Sequence, residues 1–528
     1  MDDHPLDEKL KDDKAVFGSE ELGITNSEDT ECINPSGHRQ EVHRNFSIWS
    51  VLAVGVVAGN CWTALAGSLT VAISNGGPPG VIYEFMFASL MYAFISASIA
   101  ELASAMPSSG GVYHFASVCG GRFGRLTGWF AGWWNYCAYQ FGTASMSAIC
   151  GKQLVTMYGL FHPEYEPQTW HALIGYLLVT WSTCSVVLFF NRALPMIEKM
   201  SIVIVVGGVF VTILVCAIMP SVKGRSYASN EFVWRKWQNE TGWTSDGFVF
   251  MAGCLNGAYG IGTPDVVTHL SEELPRPSRN IPKAILYQNL INFLTTMLFL
   301  IAIFYALDDL EAVIGTSATF PLTEIYRQAT GSAGGALGLV IVIFVSSVVC
   351  IIAGYITCGR TLWTLSRDDA VPFSQFLSKI HPTKRNPFNA TLTCAVTSTL
   401  LGCIFVASTT AFNAFVGSFV IFSTLSYLAA ILPHLLSRRS HVEPGDFWMG
   451  GWFGYVVHTT SCVYIVAFIV LFCFPFTLPV DAASMNYASL ITGGISIFIV
   501  GWWFVKKGSY EGPKFVARNN TLLAKDAL

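Results

Sequence analysis

The 528-residue sequence predicts an all-α integral membrane protein with twelve transmembrane helices. Three observations carry that expectation. Charged residues make up 12% of the chain, where a soluble domain carries about 25%, and hydrophobic residues make up 52%. Mean hydropathy is +0.49. Apolar runs long enough to cross a bilayer recur along the chain, separated by polar, turn-forming text. The net charge of −4 comes with no long basic run or RNA-binding signature, so nucleic acid is not an expected partner. The 14 cysteines include no C-x-x-C pair and lie mostly in apolar runs, which reads as small buried hydrophobes rather than disulfides or metal ligands.

The run over 247–284 organises the rest. Gly257, Gly260 and Gly262 fall close together and Pro264 follows. Glycine weakens a helix and proline removes a backbone donor, so the backbone is expected to open between Gly257 and Pro264. Asp265 and His269 then fall on a second half-helix. Lipid cannot satisfy freed backbone groups, so such an opening belongs inside protein or beside a watery cavity. A glycine-broken helix in a many-spanning protein points to a transporter's substrate site. A packing kink alone would not need three glycines, a proline and a carboxylate.

Taken in order, residues 1–44 are polar and charged, without the apolar core of a signal peptide, and are expected to form a disordered cytosolic tail. Span one, 46–74, contains Gly55 and Gly59-Asn60, a second place where a helix could open. Its Gly55/Gly59 spacing equally suits close helix packing. Span two, 79–106, carries Glu84 and Glu101 near its ends. Span three, 126–150, opens on interfacial tryptophans and holds Asn135, Tyr139 and Gln140 deeper in. Spans four and five cover 170–190 and 195–220. A polar loop, 221–246, carries the glycosylation sequon at Asn239. Span six is the broken run. Spans seven to twelve are placed at 284–307, 333–363, 390–407, 410–436, 456–474 and 487–505, before a tail over 506–528.

Twelve spans put both termini on one side. Placing them in the cytosol puts most of the 30 Lys and Arg residues inside, as the positive-inside rule requires. The loop 221–246, with Lys223, Arg225, Arg235 and Lys236, runs against that trend but puts Asn239 outside. The two weak helices open two groups of five spans, 45–220 and 247–436, the placement expected of inverted repeats. Residues 437–505 then supply two peripheral helices.

Three stretches resemble the amino acid–polyamine–organocation transporter superfamily. The first runs from Glu101 through Pro107, Gly110-Gly111 and Tyr113 to Gly128-Trp129. The second is Glu272-Glu273-Leu-Pro275-Arg-Pro277 through Pro282 and Ala284. The third is Gly359-Arg360 through Arg367-Asp368 to Pro372. The text of span ten and EPGDFWMG after it is most similar to the fungal amino-acid/choline permease branch. The resemblance implies the LeuT-like fold, a substrate site between spans one, three, six, eight and ten, and alternating access. Amino-acid carriers often read Gly-Ser-Gly-like at the opened span one. Here the text is Val57-Ala58-Gly59-Asn60, which leaves choline, polyamine-like amines or an alkaloid open as ligands beside amino acids and GABA.

Half-helix N-termini attract anions and freed carbonyls attract cations, so Gly59, Asn60, Gly257, Gly260 and Gly262 are the expected backbone contacts. Trp62, Tyr139 and Tyr259 are the aromatic candidates for a cationic amine, against packing as the simpler role of each. Lys199 in span five has two readings. The resemblance offers an ammonium that takes the place of a sodium ion, and the sequence alone offers an interfacial lysine paired with Glu198. Asp265 is a coupling candidate or a helix cap. Glu101, with Glu272, Arg276, Arg360 and Arg367, is expected in a gating network. No nucleotide-binding, hydrolase or metalloprotease motif is present, so neither an enzyme nor a cofactor is expected. The expectation is a secondary transporter of a small nitrogenous solute, coupled to a proton, in the plasma membrane. An exporter of a specialised metabolite or a nutrient sensor on the same fold is the alternative.

Overall fold

The computed structural model describes residues 47–513 apart from 317, 408–409 and 483. The expected N-terminal tail and the end of the C-terminal tail lie outside the described residues. Every regular element described is a helix. Nine of the described helices are long and apolar enough to cross a membrane.

The chain enters at Ser47, whose hydroxyl accepts from the Ser50 amide and caps α1 (Ile48–Ala58). After a break come α2 (Cys61–Gly67) and α3 (Leu69–Ser74). Gly76 and Gly77, at φ 120° and 68°, turn the chain into α4 (Gly77–Ala105), a conformation L side chains resist. A short helix, α5 (Val112–Cys119), leads into α6 (Gly124–Gly159). At 36 residues α6 is the longest of the described helices. It is not among the nine apolar ones, because its buried faces carry polar groups such as Asn135, Gln140, Thr143 and Ser145.

Next come α7 (Thr169–Phe189), α8 (Leu194–Val222) and the short α9 (Asn230–Trp234). α10 (Asp246–Ile261) is followed by an irregular turn and a 3₁₀ stretch, Val266–Glu273. α11 (Pro277–Tyr305), the small α12 (Leu310–Ile314) and α13 (Leu322–Thr330) lead to α14 (Ala333–Arg367). The single-turn α15 (Ser374–Leu377) precedes α16 (Phe388–Ala407), α17 (Ala411–Leu436), α18 (Gly451–Leu471) and α19 (Ala488–Lys506).

Burial separates a centre from a rim. α6 packs along α17 and α14, while α4 packs along α10 and α11. α1 is covered by α8, α11 and α14. The segment containing α1 and α2 is 83% buried, whereas α19 is 11% buried, so α1–α2 is core and α19 a peripheral helix. Outward faces of the rim helices are large and apolar, including Phe210, Leu294, Val463 and Phe504, as lipid contact requires.

Candidate functional site

Two interrupted helices meet in the buried centre. Asn60 leaves helical geometry at φ −26°, ψ 65° and starts α2. Its side-chain nitrogen donates to the Ser346 carbonyl on α14 at 2.7 Å, and its own carbonyl accepts from the Thr63 hydroxyl at 2.9 Å. Both contacts satisfy polar groups that lipid would leave bare.

The second interruption is shorter than the glycine spacing predicts. α10 continues through Gly257 and Gly260 to Ile261, and the backbone opens only over residues 262–265. The two earlier glycines serve packing. A Cβ at Gly257 would sit 2.8 Å from Ala88 Cβ, and one at Gly260 would sit 2.6 Å from Cys61 Sγ. Helix backbones come close there, which glycine permits without opening the helix. The freed groups at the true break find partners. Gln288 donates to the Thr263 carbonyl at 2.8 Å, and the Tyr427 hydroxyl lies 3.2 Å from the Gly262 carbonyl.

Asp265 follows on this break and does not cap it, since its carboxylate makes no bond to the 3₁₀ amides. It accepts instead from Asn135 at 2.7 Å, Tyr139 at 2.6 Å and Tyr427 at 2.6 Å, with His269 Nε2 facing it at 3.4 Å. Donors from α6 and α17 converge on one fully buried carboxylate. Hydrogen bonds to a charged acceptor are the strong class, so Asp265 ties both helices to the broken segment.

A cavity of about 50 Å³ lies above this anchor. Ala58, Gly59 and Asn60 form one wall, and Tyr259, Gly260 and Thr263 another. Tyr139 and Thr143 of α6, Cys350 and Ile351 of α14, and Phe419 of α17 close it. No charged side chain lines it. Asn60 Oδ1, buried, has no hydrogen-bond partner, and the Ala58 carbonyl receives only the Cys350 thiol, at 3.6 Å. Tyr259 and Phe419 stand edge to face, 5.8 Å between centroids.

Of the residues singled out in the sequence, Gly59, Asn60, Tyr139, Tyr259 and Gly260 line this cavity. Gly257 and Gly262 do not. Nor does Trp62, which is buried against Phe299 with ring centroids 5.4 Å apart. Lys199 is exposed and outside the buried stripe of α8, and Glu198 beside it is the one turned inward. The expected pairing of Lys199 with Glu198 is absent, since Glu198 has no hydrogen-bond partner. One residue along a helix turns a side chain by about 100°, which exchanges inside for outside. Asn239 is half-buried, its side-chain nitrogen donating to the Trp243 carbonyl at 2.8 Å.

The ionic residues beyond the cavity form two networks, not one. Arg360 binds Glu273 at 2.6 Å and Arg367 binds Glu272 at 3.3 Å, joining α14 to the 3₁₀ stretch. Glu101 belongs elsewhere. It takes Arg439 at 2.7 Å, His434 at 3.3 Å, His458 at 3.2 Å and the Met449 amide at 2.8 Å, tying α4 to α17, α18 and the loop between them. Arg276 is exposed at φ 48° and joins neither. Tyr427, His434, His458 and Arg439 had no sequence signal, because each acquires its role from a partner at least 160 residues away.

The family model described as amino acid permease matches residues 46–497. The choline transporter of Saccharomyces cerevisiae is 32% identical over 483 residues, covering 90% of this chain and 83% of that protein. The 7-keto 8-aminopelargonic acid transporter of the same yeast is 24% identical, covering 88% of this chain and 92% of that protein. The transmembrane transporter swnT of Metarhizium robertsii is 26% identical, covering 88% and 92%.

Proposed function

This chain belongs to the amino acid permease family, and from that premise we propose a proton-coupled secondary transporter that carries a small organic cation of the choline type by alternating access. The family makes it a multi-pass membrane protein that moves small nitrogenous solutes, and not an enzyme. In the proposed architecture α6, α10 and α16 also cross the bilayer and bring the spans to twelve. The first ten spans form two inverted five-helix repeats, α18 and α19 are peripheral, both termini are cytosolic, and the membrane is the plasma membrane.

The observation that carries the substrate reading is the lining of the central cavity. It is lined by the aromatic side chains Tyr139, Tyr259 and Phe419 and, among the described residues, by no charged side chain. A quaternary ammonium donates no hydrogen bonds, so it is recognised by ring faces and by carbonyl dipoles, and the Ala58 carbonyl supplies one of these. The partnerless Asn60 Oδ1 offers an acceptor for a substrate hydroxyl. An amino acid's carboxylate would need a cation or several free amides, and no cation lines the cavity. Asp265, one layer away, adds negative potential through the Tyr139 hydroxyl that it holds.

The test is uptake of labelled choline, GABA, neutral and basic amino acids and polyamines by a permease-deficient cell, with and without a proton uncoupler. Saturable, uncoupler-sensitive choline uptake is expected. Uptake of amino acids with choline neither carried nor competing would overturn the substrate reading. Gly260→Val, which drives a branched side chain into Cys61, is expected to abolish uptake at normal surface levels. Normal uptake by that variant would remove the cavity from the transport path.

A further inference from the structure

Two buried acids, Glu84 of α4 and Glu198 of α8, take no part in anything described so far, and Glu198 is the one with a cation near it. The inward stripe of α8 runs through Leu194, Glu198, Ser201, Val205 and Gly208, and Glu198 is its only carboxyl. Glu198 is completely buried, and neither carboxyl oxygen has a hydrogen-bond partner. A carboxylate stripped of water and given no donors is very costly, which favours the neutral acid at this position.

Its surroundings contain one cation within electrostatic reach, Arg360 of α14, together with the Cys350 thiol. α1 contributes no titratable side chain. On α11, Arg279, Lys283 and Tyr287 are exposed. On α14, Tyr355 faces Tyr176 and Cys184, Cys358 faces Gln140, and Arg367 is held by Glu272. On α13, Glu324 and Arg327 bind each other, and Tyr326 lies beside Thr212 and Cys216 toward the far end of α8. Arg192 and Lys199 are exposed.

Arg360 is already taken, because Glu273 of the 3₁₀ stretch holds it at 2.6 Å. One guanidinium therefore stands near two acids and serves one of them. We propose that Glu198 carries the coupled proton and that Arg360 times its release. This rests on the reading of the chain as a proton-coupled transporter.

When the 3₁₀ stretch moves away from α14 to open the cytosolic side, Glu273 leaves Arg360. The freed guanidinium pairs with Glu198, the Glu198 O–H bond breaks, and the proton passes to cytosolic water. Closing restores the Arg360–Glu273 pair and strands the Glu198 carboxylate, which takes a new proton through the outward-facing cavity. Cys350 lies between the two places, since it lines the cavity and is near Glu198.

The test has a substrate-free arm and a transport arm. Infrared difference spectra of the purified full-length protein, in H₂O and D₂O and in a Glu84→Gln background that removes the other partnerless acid, should show the carbonyl stretch of a buried protonated acid near neutral pH. Glu198→Gln, an isostere of the protonated form, should remove that band. Glu273→Gln, which frees Arg360, should remove it at neutral pH and restore it in acid. A band that survives in Glu198→Gln overturns the assignment of the proton. A band unchanged in Glu273→Gln overturns the role of Arg360.

In cells, uptake of labelled choline by the wild type should fall roughly tenfold from about pH 5 to about pH 8, a typical size for a coupling between two sites. Glu198→Gln should vary less than about twofold over that range and should lose accumulation against a gradient. A variant with the wild-type pH profile overturns the proposal. A wild type that moves no choline overturns the substrate reading and leaves the infrared band to decide Glu198.

Discussion

Asp265 and Glu198 are both fully buried carboxyl groups in a membrane protein, and they are built in opposite ways. Asp265 accepts three short hydrogen bonds from two helices and faces a histidine. Glu198 accepts none. Burial is the same for both, so burial does not distinguish an anchor from a carrier. The donors do. A carboxylate whose lone pairs are filled by fixed donors fixes the elements around it. A carboxyl with no donors has nothing to hold its charge, and under the proposal its state follows Arg360.

The comparison is most easily broken at Asp265. Asp265→Ala takes from Asn135, Tyr139 and Tyr427 the carboxylate they share, and the loss of a buried charged partner costs about 3–5 kcal/mol. Thermal melting of the purified protein should show a large fall in midpoint, and an unchanged midpoint would make Asp265 no anchor. Tyr427→Phe removes one donor of the three. It should cost about 1.5–3 kcal/mol by the same measurement, with Tyr139 and Asn135 still in place. A loss as large as that of Asp265→Ala would mean that Tyr427 does far more than donate to it. Glu198→Gln should be the mildest, within about 0.5 kcal/mol of wild type, because no hydrogen bond is lost. A drop comparable to that of Asp265→Ala would show that Glu198 has partners after all and would erase the contrast.

Much of the site is legible in the sequence. Gly59-Asn60 and the glycine–proline text after Tyr259 mark the two breaks, because backbone chemistry is local and is written in residue type. Tyr139, Asn135 and Asp265 stood out as polar groups at membrane depth. What those groups bind was not legible. Asp265 read equally well as a helix cap, and only the approach of α17 with Tyr427 shows where its lone pairs go. Glu101 read as part of one ionic network with Arg360. It faces α17 and α18 and not α14, and no spacing within span two records that choice.

The sequence by itself determined the class of protein and its weak points, since composition sets the solvent a chain can live in and glycine and proline set where a helix can open. Tertiary structure decided which of two adjacent residues, Glu198 or Lys199, is turned inward. It also decided that Gly257 and Gly260 lie at close helix approaches, and that Arg360 is held by Glu273. Those outcomes depend on which helix faces which. That is a property of the packed whole, and residues far apart in the chain meet only there.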